Sequence, residues 1–363
     1  MKRLNLMLLI FVLFLVLNAC YKTENDPPAK EPEQSVNAGY ETEDDLSTNG
    51  PDETVFQGIT LSRQDHPELN FDYSEHDGRH AIRDFTVTPE GNLLLLELSK
   101  CIYEYSPQGR LLNIYEYDLE EQGLTAYMFA ADDQGNFYLL DGRRQLIIKV
   151  NKSEILNLAA FDETSLISDT GLIKSFYADS EDVLIVTALD TSDFSYHTFT
   201  LDVSGDNIKF TEDPVRGDSI GNRQFVYVEH IMDGEQLTNG MEIVVAEYGG
   251  EERRFRVYTN HEASANLVGF QIYGLMEEGK YLARAVETLH GDKVEARENF
   301  LILEQDFDVT GICESNLAAS DIIRGFQGDT FVLRFTNDGL EIVKLYDLCS
   351  SWKDDVWFYT DAI

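Results

Sequence analysis

Four cysteines and seven histidines are the residues of this chain best suited to nucleophilic, redox or metal chemistry. Their spacing argues against most of it. No Cys-x-x-Cys and no Cys/His grouping with zinc-ligand spacing occurs. Cys101 alternates with Tyr103 and Tyr105 in an apolar run, which predicts a buried thiol rather than a reactive one. Cys313 and Cys349 fall at the ends of late apolar runs, and an oxidising compartment would permit a disulfide between them. His76 and His80 form a His-x3-His pair, but Gly78 between them predicts a turn, not a helix aiming both rings at one zinc ion. His66, His197, His230, His261 and His290 are scattered and read as solvated side chains. Arg63–Ala81 predicts a long loop with Asp65, Glu68, Asp72, Glu75 and Asp77. Loops of that length are often functional, and its acids could hold Ca²⁺, although no D-x-[DN]-x-[DN]-G pattern is spelled out. Arg216-Gly217-Asp218 matches a cell-adhesion tripeptide by letter, and a turn between repeats explains it equally well. No G-x-S-x-G, Walker A or dinucleotide fingerprint is present, and acids are too common for any pair to be nominated as a catalytic dyad. No catalytic residue and no cofactor is therefore assigned.

Cys20 is a different case. Lys2-Arg3 opens the chain, Leu6–Leu17 is an unbroken apolar run, and Leu17-Asn18-Ala19-Cys20 follows. The run is too short for a permanent membrane helix, which needs about 20 residues, but it has the layout of a secretory signal. The ending resembles the lipobox of bacterial lipoproteins. That resemblance implies a signal peptide over 1–19, lipid on the thiol of Cys20, and a mature protein held at the extracytoplasmic face of a bacterial membrane by its acyl chains. Residues 20–53 read as a disordered acidic tether with Pro27, Pro28 and Pro32, too polar to offset the entropy of ordering.

The formal charge of −38 repels nucleic acid and anionic headgroups, which excludes nucleic-acid binding. From residue 54 to 363 the chain reads as one all-β domain. Its plainest stretch is Ile82–Asp118, with strands at Asp84–Val87, Leu93–Leu98, Ile102–Tyr105 and Leu111–Tyr117. The turns Pro89-Glu90-Gly91-Asn92 and Ser106-Pro107-Gln108-Gly109 supply the residues tight hairpins need. The unit recurs over Leu124–Phe161, with Gly91 and Gly135 44 positions apart. Further units are read at Ile173–Thr211, Phe225–Phe270, Gln271–Cys313 and Ile322–Leu345, the fourth of them ending in a strand at Ala265–Phe270. Four strands every 40–50 residues predict propeller blades. The first two units resemble the blades of the NHL and six-bladed propeller lipoprotein families, in the order apolar strand, Asp/Pro-x-Gly-Asn turn, two apolar strands, x-x-Gly turn, apolar strand. The expectation is a six-bladed β-propeller, with seven blades as the alternative. The sixth unit lacks a fourth strand. Thr54–Leu61 is the candidate to supply it, with the tail Val356–Tyr359 as rival. The aromatic tail, Trp352 to Tyr359, is otherwise expected to pack on the last blade.

Propellers place their function in loops around a central channel. Metal-dependent lactonases and lyases of this kind need inner-strand carboxylates or amides, whereas the first three units read Phe85/Val87, Phe129/Ala131 and Phe176/Ala178. The sequence therefore favours a binding or interaction scaffold for a protein, peptide or glycan ligand. The alternatives are a metal-dependent lactonase or lyase and a cell-envelope sensor.

Overall fold

Second strands of the repeat read as unbroken apolar runs, Leu93-Leu94-Leu95-Leu96 being the clearest. A strand apolar on both faces must be covered on both faces. In the computed structural model Leu93–Glu97 and Asn136–Asp141 are buried at every position, because a neighbouring blade packs on each side. The structure describes residues 56–362 apart from 57, 75–78, 89, 99, 118, 120, 142–143, 145, 152–153, 162–172, 191–194, 222–223, 234–235, 248–251, 260–264, 276–278, 291–293, 316, 318–320, 327–328, 349–351 and 354–357.

The fold is all-β, a six-bladed propeller of antiparallel sheets. Blade 1 is Ile82–Val87, Leu93–Glu97, Cys101–Tyr105 and Leu111–Glu116. Blade 2 is Met128–Ala131, Asn136–Asp141, Leu146–Asn151 and Glu154–Ala160. Blade 3 is Ile173–Ser180, Val183–Asp190 and Ser195–Asp202, its outer edge shared by Lys209–Phe210 and Val215–Arg216. Blade 4 is Asp218–Gly221, Gln224–Asp233, Gln236–Glu247 and Glu252–Thr259, with Phe358–Ala362 as a fifth strand. Blade 5 is Ala265–Leu275, Tyr281–His290, Val294–Leu303 and Val309–Glu314. Blade 6 is Ile322–Phe326, Asp329–Phe335, Gly339–Lys344 and Ile59–Ser62. The blades adjoin in that cyclic order, blade 6 meeting blade 1. Among the described residues no helix is long and apolar enough to cross a membrane.

Local chemistry sets the hairpins. Asp132 accepts backbone hydrogen bonds from Gln134 and Asn136 at 2.9 and 2.8 Å, and Gly135 follows with φ of 80°. That is an Asx turn closed by a left-handed glycine.

Both ends of the domain complete blades that are distant in sequence. Ile59–Ser62 pairs with Gly339–Lys344, so the N-terminal segment closes blade 6. Gly339 is required there, because a Cβ would collide with the Leu61 carbonyl. The tail divides: Trp352 stacks on Tyr346 and packs against Val332 and Leu345 of the last blade and its helix, as its aromatic content implied. Phe358–Ala362 pairs with Glu252–Thr259 instead, and Phe358 enters the core between blades 4 and 5. This also corrects the fourth unit: Ala265–Phe270 opens the first strand of blade 5, and the true first strand of blade 4 is Asp218–Gly221.

The core is distributed over the interfaces between blades. Blades 6 and 1 share Leu61, Phe85, Tyr105 and Phe331; blades 1 and 2 share Leu96, Ile102, Phe129 and Leu139. Blades 2 and 3 share Tyr138, Leu140, Val186 and Phe199. Blades 4 and 5 share Val245, Phe255, Ala283 and Leu301, and blades 5 and 6 share Phe300, Cys313 and Val332. Among the described residues, no apolar cluster of this kind joins blades 3 and 4.

Candidate functional site

Innermost strands carry charge after all, which corrects the reading of apolar channel positions. Asp84 of blade 1 is buried. Its Oδ1 accepts from Arg324 Nε of blade 6 at 2.7 Å and from the Phe85 amide at 2.9 Å; its Oδ2 accepts from the Phe129 amide of blade 2 at 3.1 Å. One carboxylate thus ties three successive blades. Burial pushes its pKa up, against the opposing pull of the Arg324 guanidinium and the two amides.

Blades 3 and 4 meet through polar groups. Lys174, on the first strand of blade 3, is ion-paired with Asp218, on the first strand of blade 4, and lies 4.6 Å from the centre of the Tyr196 ring. Tyr177 and Ser219 share a hydrogen bond of 2.8 Å across the seam. Beneath them Thr198 Oγ1 donates to the Gly217 carbonyl at 2.8 Å. Gly217, with φ of 112°, carries the chain from blade 3 to blade 4, and a Cβ there would strike the Val226 carbonyl. Arg216 spans the seam: it lies over the Tyr227 ring at 4.4 Å and pairs with Glu229 at 2.9 Å. The strip continues along blade 4. Arg254 donates to Glu242 at 2.8 Å, Glu252 at 2.7 Å and Tyr227 Oη at 3.3 Å, and Arg256 pairs with Glu242 at 3.5 Å. Hydrogen bonding from Arg254 holds Glu252 below the usual carboxylate range, with Tyr227 adding to it. Tyr177 and Tyr196 are 38% and 36% exposed, so two rings face solvent along this strip.

In the loop Arg63–Ala81, Asp65 and Glu68 bond to the chain itself. Glu68 Oε1 accepts from Tyr105 Oη at 2.7 Å and lies 3.1 Å from His66 Nδ1. Burial pushes Glu68 up, but the hydrogen bonds from Tyr105, from its own backbone amide and from His66, with the charge of His66, outweigh it and the carboxyl ends below its ordinary range. Tyr103 Oη donates its one proton to buried Glu97 at 2.6 Å and lies 2.9 Å from the Glu68 carbonyl. Asp65 accepts from Ser62 Oγ at 2.7 Å. His80 stacks on Phe335 at 3.5 Å and meets Tyr73 edge-on. Burial, with Arg63 and Arg83 adding to it, pushes the His80 pKa down. A depressed histidine contributes stability that is full above its ordinary pKa near 6.5 and is lost as pH falls below that value. Lowering pH from 7.5 to 5.5 is therefore expected to lower the thermal midpoint more in the native protein than in His80→Phe, which keeps the stack. Equal slopes in paired melting curves would refute this.

The other residues singled out from sequence are placed as follows. Cys20, like all of residues 1–55, lies outside the described residues, as do His76, His261 and Cys349. Cys313 is buried, its Sγ 3.4 Å from the Glu314 carbonyl; the proposed bridge falls on Cys349 and so stays an expectation. Cys101 is buried as expected, its thiol pushed up by burial to about 11. Arg216-Gly217-Asp218 is not a displayed loop, since both its charges are paired. His197 packs in blade 3 beside Ser195, and His230 is exposed on blade 4.

No family model and no curated protein matches the chain. Solved structures do. A hydrazine synthase from Kuenenia stuttgartiensis is 11% identical over 76% of this chain and 80% of that one, with a TM-score of 0.37. Virginiamycin B lyase from Staphylococcus aureus is 13% identical over 76% of this chain and 98% of that one, TM-score 0.38. The extracellular domain of a protein assigned as a hybrid two-component system of B. thetaiotaomicron is 13% identical over 81% of this chain and 42% of that one, TM-score 0.36. Likeness at this level bears on neither ligand nor reaction.

Proposed function

We propose that this chain is a lipid-anchored extracytoplasmic lipoprotein whose propeller serves as a binding scaffold. The observation that carries the binding reading is the seam between blades 3 and 4. There exposed tyrosines stand beside carboxylates locked to cations, and Glu252 is held ionised by Arg254. A carboxylate fixed in that way is a hydrogen-bond acceptor, whereas a general acid needs a raised pKa near the working pH. The enzyme reading has one observation in its favour, the raised pKa of Asp84 on the first strand of blade 1. Both oxygens of that carboxyl are engaged by Arg324 and backbone amides, which makes it a structural tie.

Anchoring is supported by the order Lys2-Arg3, Leu6–Leu17, Leu17-Asn18-Ala19-Cys20. Only a thiol there can carry the thioether. Mass spectrometry of the mature N-terminal peptide from the natural host is expected to find diacylglyceryl-modified Cys20, and Cys20→Ser to yield no cleavage at that site and no incorporated fatty acid. An unmodified N-terminus at another residue would leave a secreted propeller instead. Fractionation alone would mislead, because the uncleaved apolar run can itself hold the variant on the membrane.

A further inference from the structure

We infer that the seam between blades 3 and 4 is the ligand site of this propeller and that its ligand is a neutral oligosaccharide; this rests on the binding-scaffold reading and gives it a substrate class. The first argument is charge. The chain carries −38 overall, yet along the seam Lys174, Arg216, Arg254 and Arg256 each meet Asp218, Glu229, Glu242 or Glu252. Each cation is paired with an anion of the chain itself. A charged ligand would have to displace one member of a pair and leave the other uncompensated, at a cost that grows with desolvation. A neutral ligand keeps every pair intact.

The second argument is the hydrogen-bonding capacity that remains. A guanidinium has five N–H donors and a carboxylate about four acceptor positions, so a single Arg–Glu contact leaves both with unused capacity. Arg216 and Glu229, each about two-fifths exposed, present a donor and an acceptor 2.9 Å apart. A pair of adjacent hydroxyls, one accepting and one donating, matches that arrangement. Carboxylate acceptors held in place by arginine pay little further entropy on binding.

The third argument is the aromatic surface. Tyr177 and Tyr196 stand exposed on blade 3, and Tyr227 lies beneath Arg216 on blade 4. Tyrosine combines a large apolar face with a polar tip at low entropic cost. An exposed ring can cover the C–H face of a sugar ring while the ion pairs take its hydroxyls. The strip runs from Tyr196 through Lys174, Asp218 and Arg216 to Tyr227 and Arg254, so it offers several such positions in a row, as an extended oligosaccharide requires.

The test is affinity electrophoresis of the lipid-free domain in gels containing hydroxyethylcellulose, glucomannan, galactomannan, xyloglucan or dextran, with polygalacturonate and chitosan as charged comparators. At least one neutral polymer is expected to retard the protein, and 0.5 M NaCl to leave that retardation unchanged. Tyr177→Ala and Tyr196→Ala should each weaken it about tenfold in gels run well below their thermal midpoints, which fall somewhat because each change removes a seam contact, to Ser219 or to Lys174. Tyr346→Ala, which removes an exposed ring on the helix after blade 6, should not weaken it. Retardation by none of the neutral polymers, or only by a charged one and abolished by salt, overturns the inference and leaves the scaffold reading standing. Shortening of a bound polymer, read by mass spectrometry, would overturn the scaffold reading while keeping the site.

Discussion

Removing residues 54–61 is expected to leave no stable monomer. Phe56 and Leu61 are 2% and 0% exposed in the core between blades 6 and 1, and Ile59 packs against it. Fully burying an apolar side chain of this size is worth about 1.5–3 kcal/mol, so Phe56 and Leu61 supply about 3–6 kcal/mol and half-buried Ile59 adds to it. A whole domain is stable by about 5–15 kcal/mol. The deletion also bares the edge of Gly339–Lys344, which can then pair with another chain. Size-exclusion chromatography should show aggregates, and any monomer should melt far below the native protein. Removing residues 21–50 should change neither readout. If the two deletions behave alike, the N-terminal strand does not close the ring.

Asp84→Ala is expected to be the most damaging single substitution. It strands the Arg324 guanidinium and the Phe129 amide, both of which point at the missing carboxylate. Breaking one side of a buried charge pair costs about 3–5 kcal/mol, roughly 10 °C in thermal midpoint for a domain of this size. Adding Arg324→Leu should restore part of the loss, because the second change removes the uncompensated charge. A midpoint within 2 °C or so of native for Asp84→Ala, a shift worth under about 1 kcal/mol, would show that the three-blade tie contributes nothing.

Blades 1 and 2 were legible because their punctuation is local. Gly91, Gly109 and Gly135 all adopt positive φ, and the apolar runs between them became the strands. Asp218–Gly221 was not legible: four residues with Asp, Ser and Gly carry no apolar run, and their strand identity comes from pairing with Gln224–Asp233. The role of Phe358–Ala362 is recorded in no neighbouring residue, since its partner lies about a hundred positions earlier. The Asp84 tie is not marked in the letters: Asp84 sits beside Phe85 and Val87, whose side chains pack between blades 6 and 1, and its partners lie on two other blades. At the seam, the alternation was present in the letters. Thr198 and Tyr196 alternate with Phe199, and Thr187 with Val186. Alternation assigns residues to two faces, but only the ring says that one face meets an apolar neighbour and the other a charged one.

The strand exchanged into blade 4 has a consequence in time. A chain that emerges N-terminus first, from ribosome or translocon, presents Glu252–Thr259 about a hundred residues before the strand that covers it. At about 5–20 residues per second that edge stays bare for roughly 5–20 s of synthesis. The blade 6 strand has the opposite history: Ile59–Ser62 is made early and waits for Gly339–Lys344. Neither blade can be finished until almost the whole domain is out, so the closing of the ring follows emergence, whereas blades 1, 2, 3 and 5 hold all their strands in one stretch of chain.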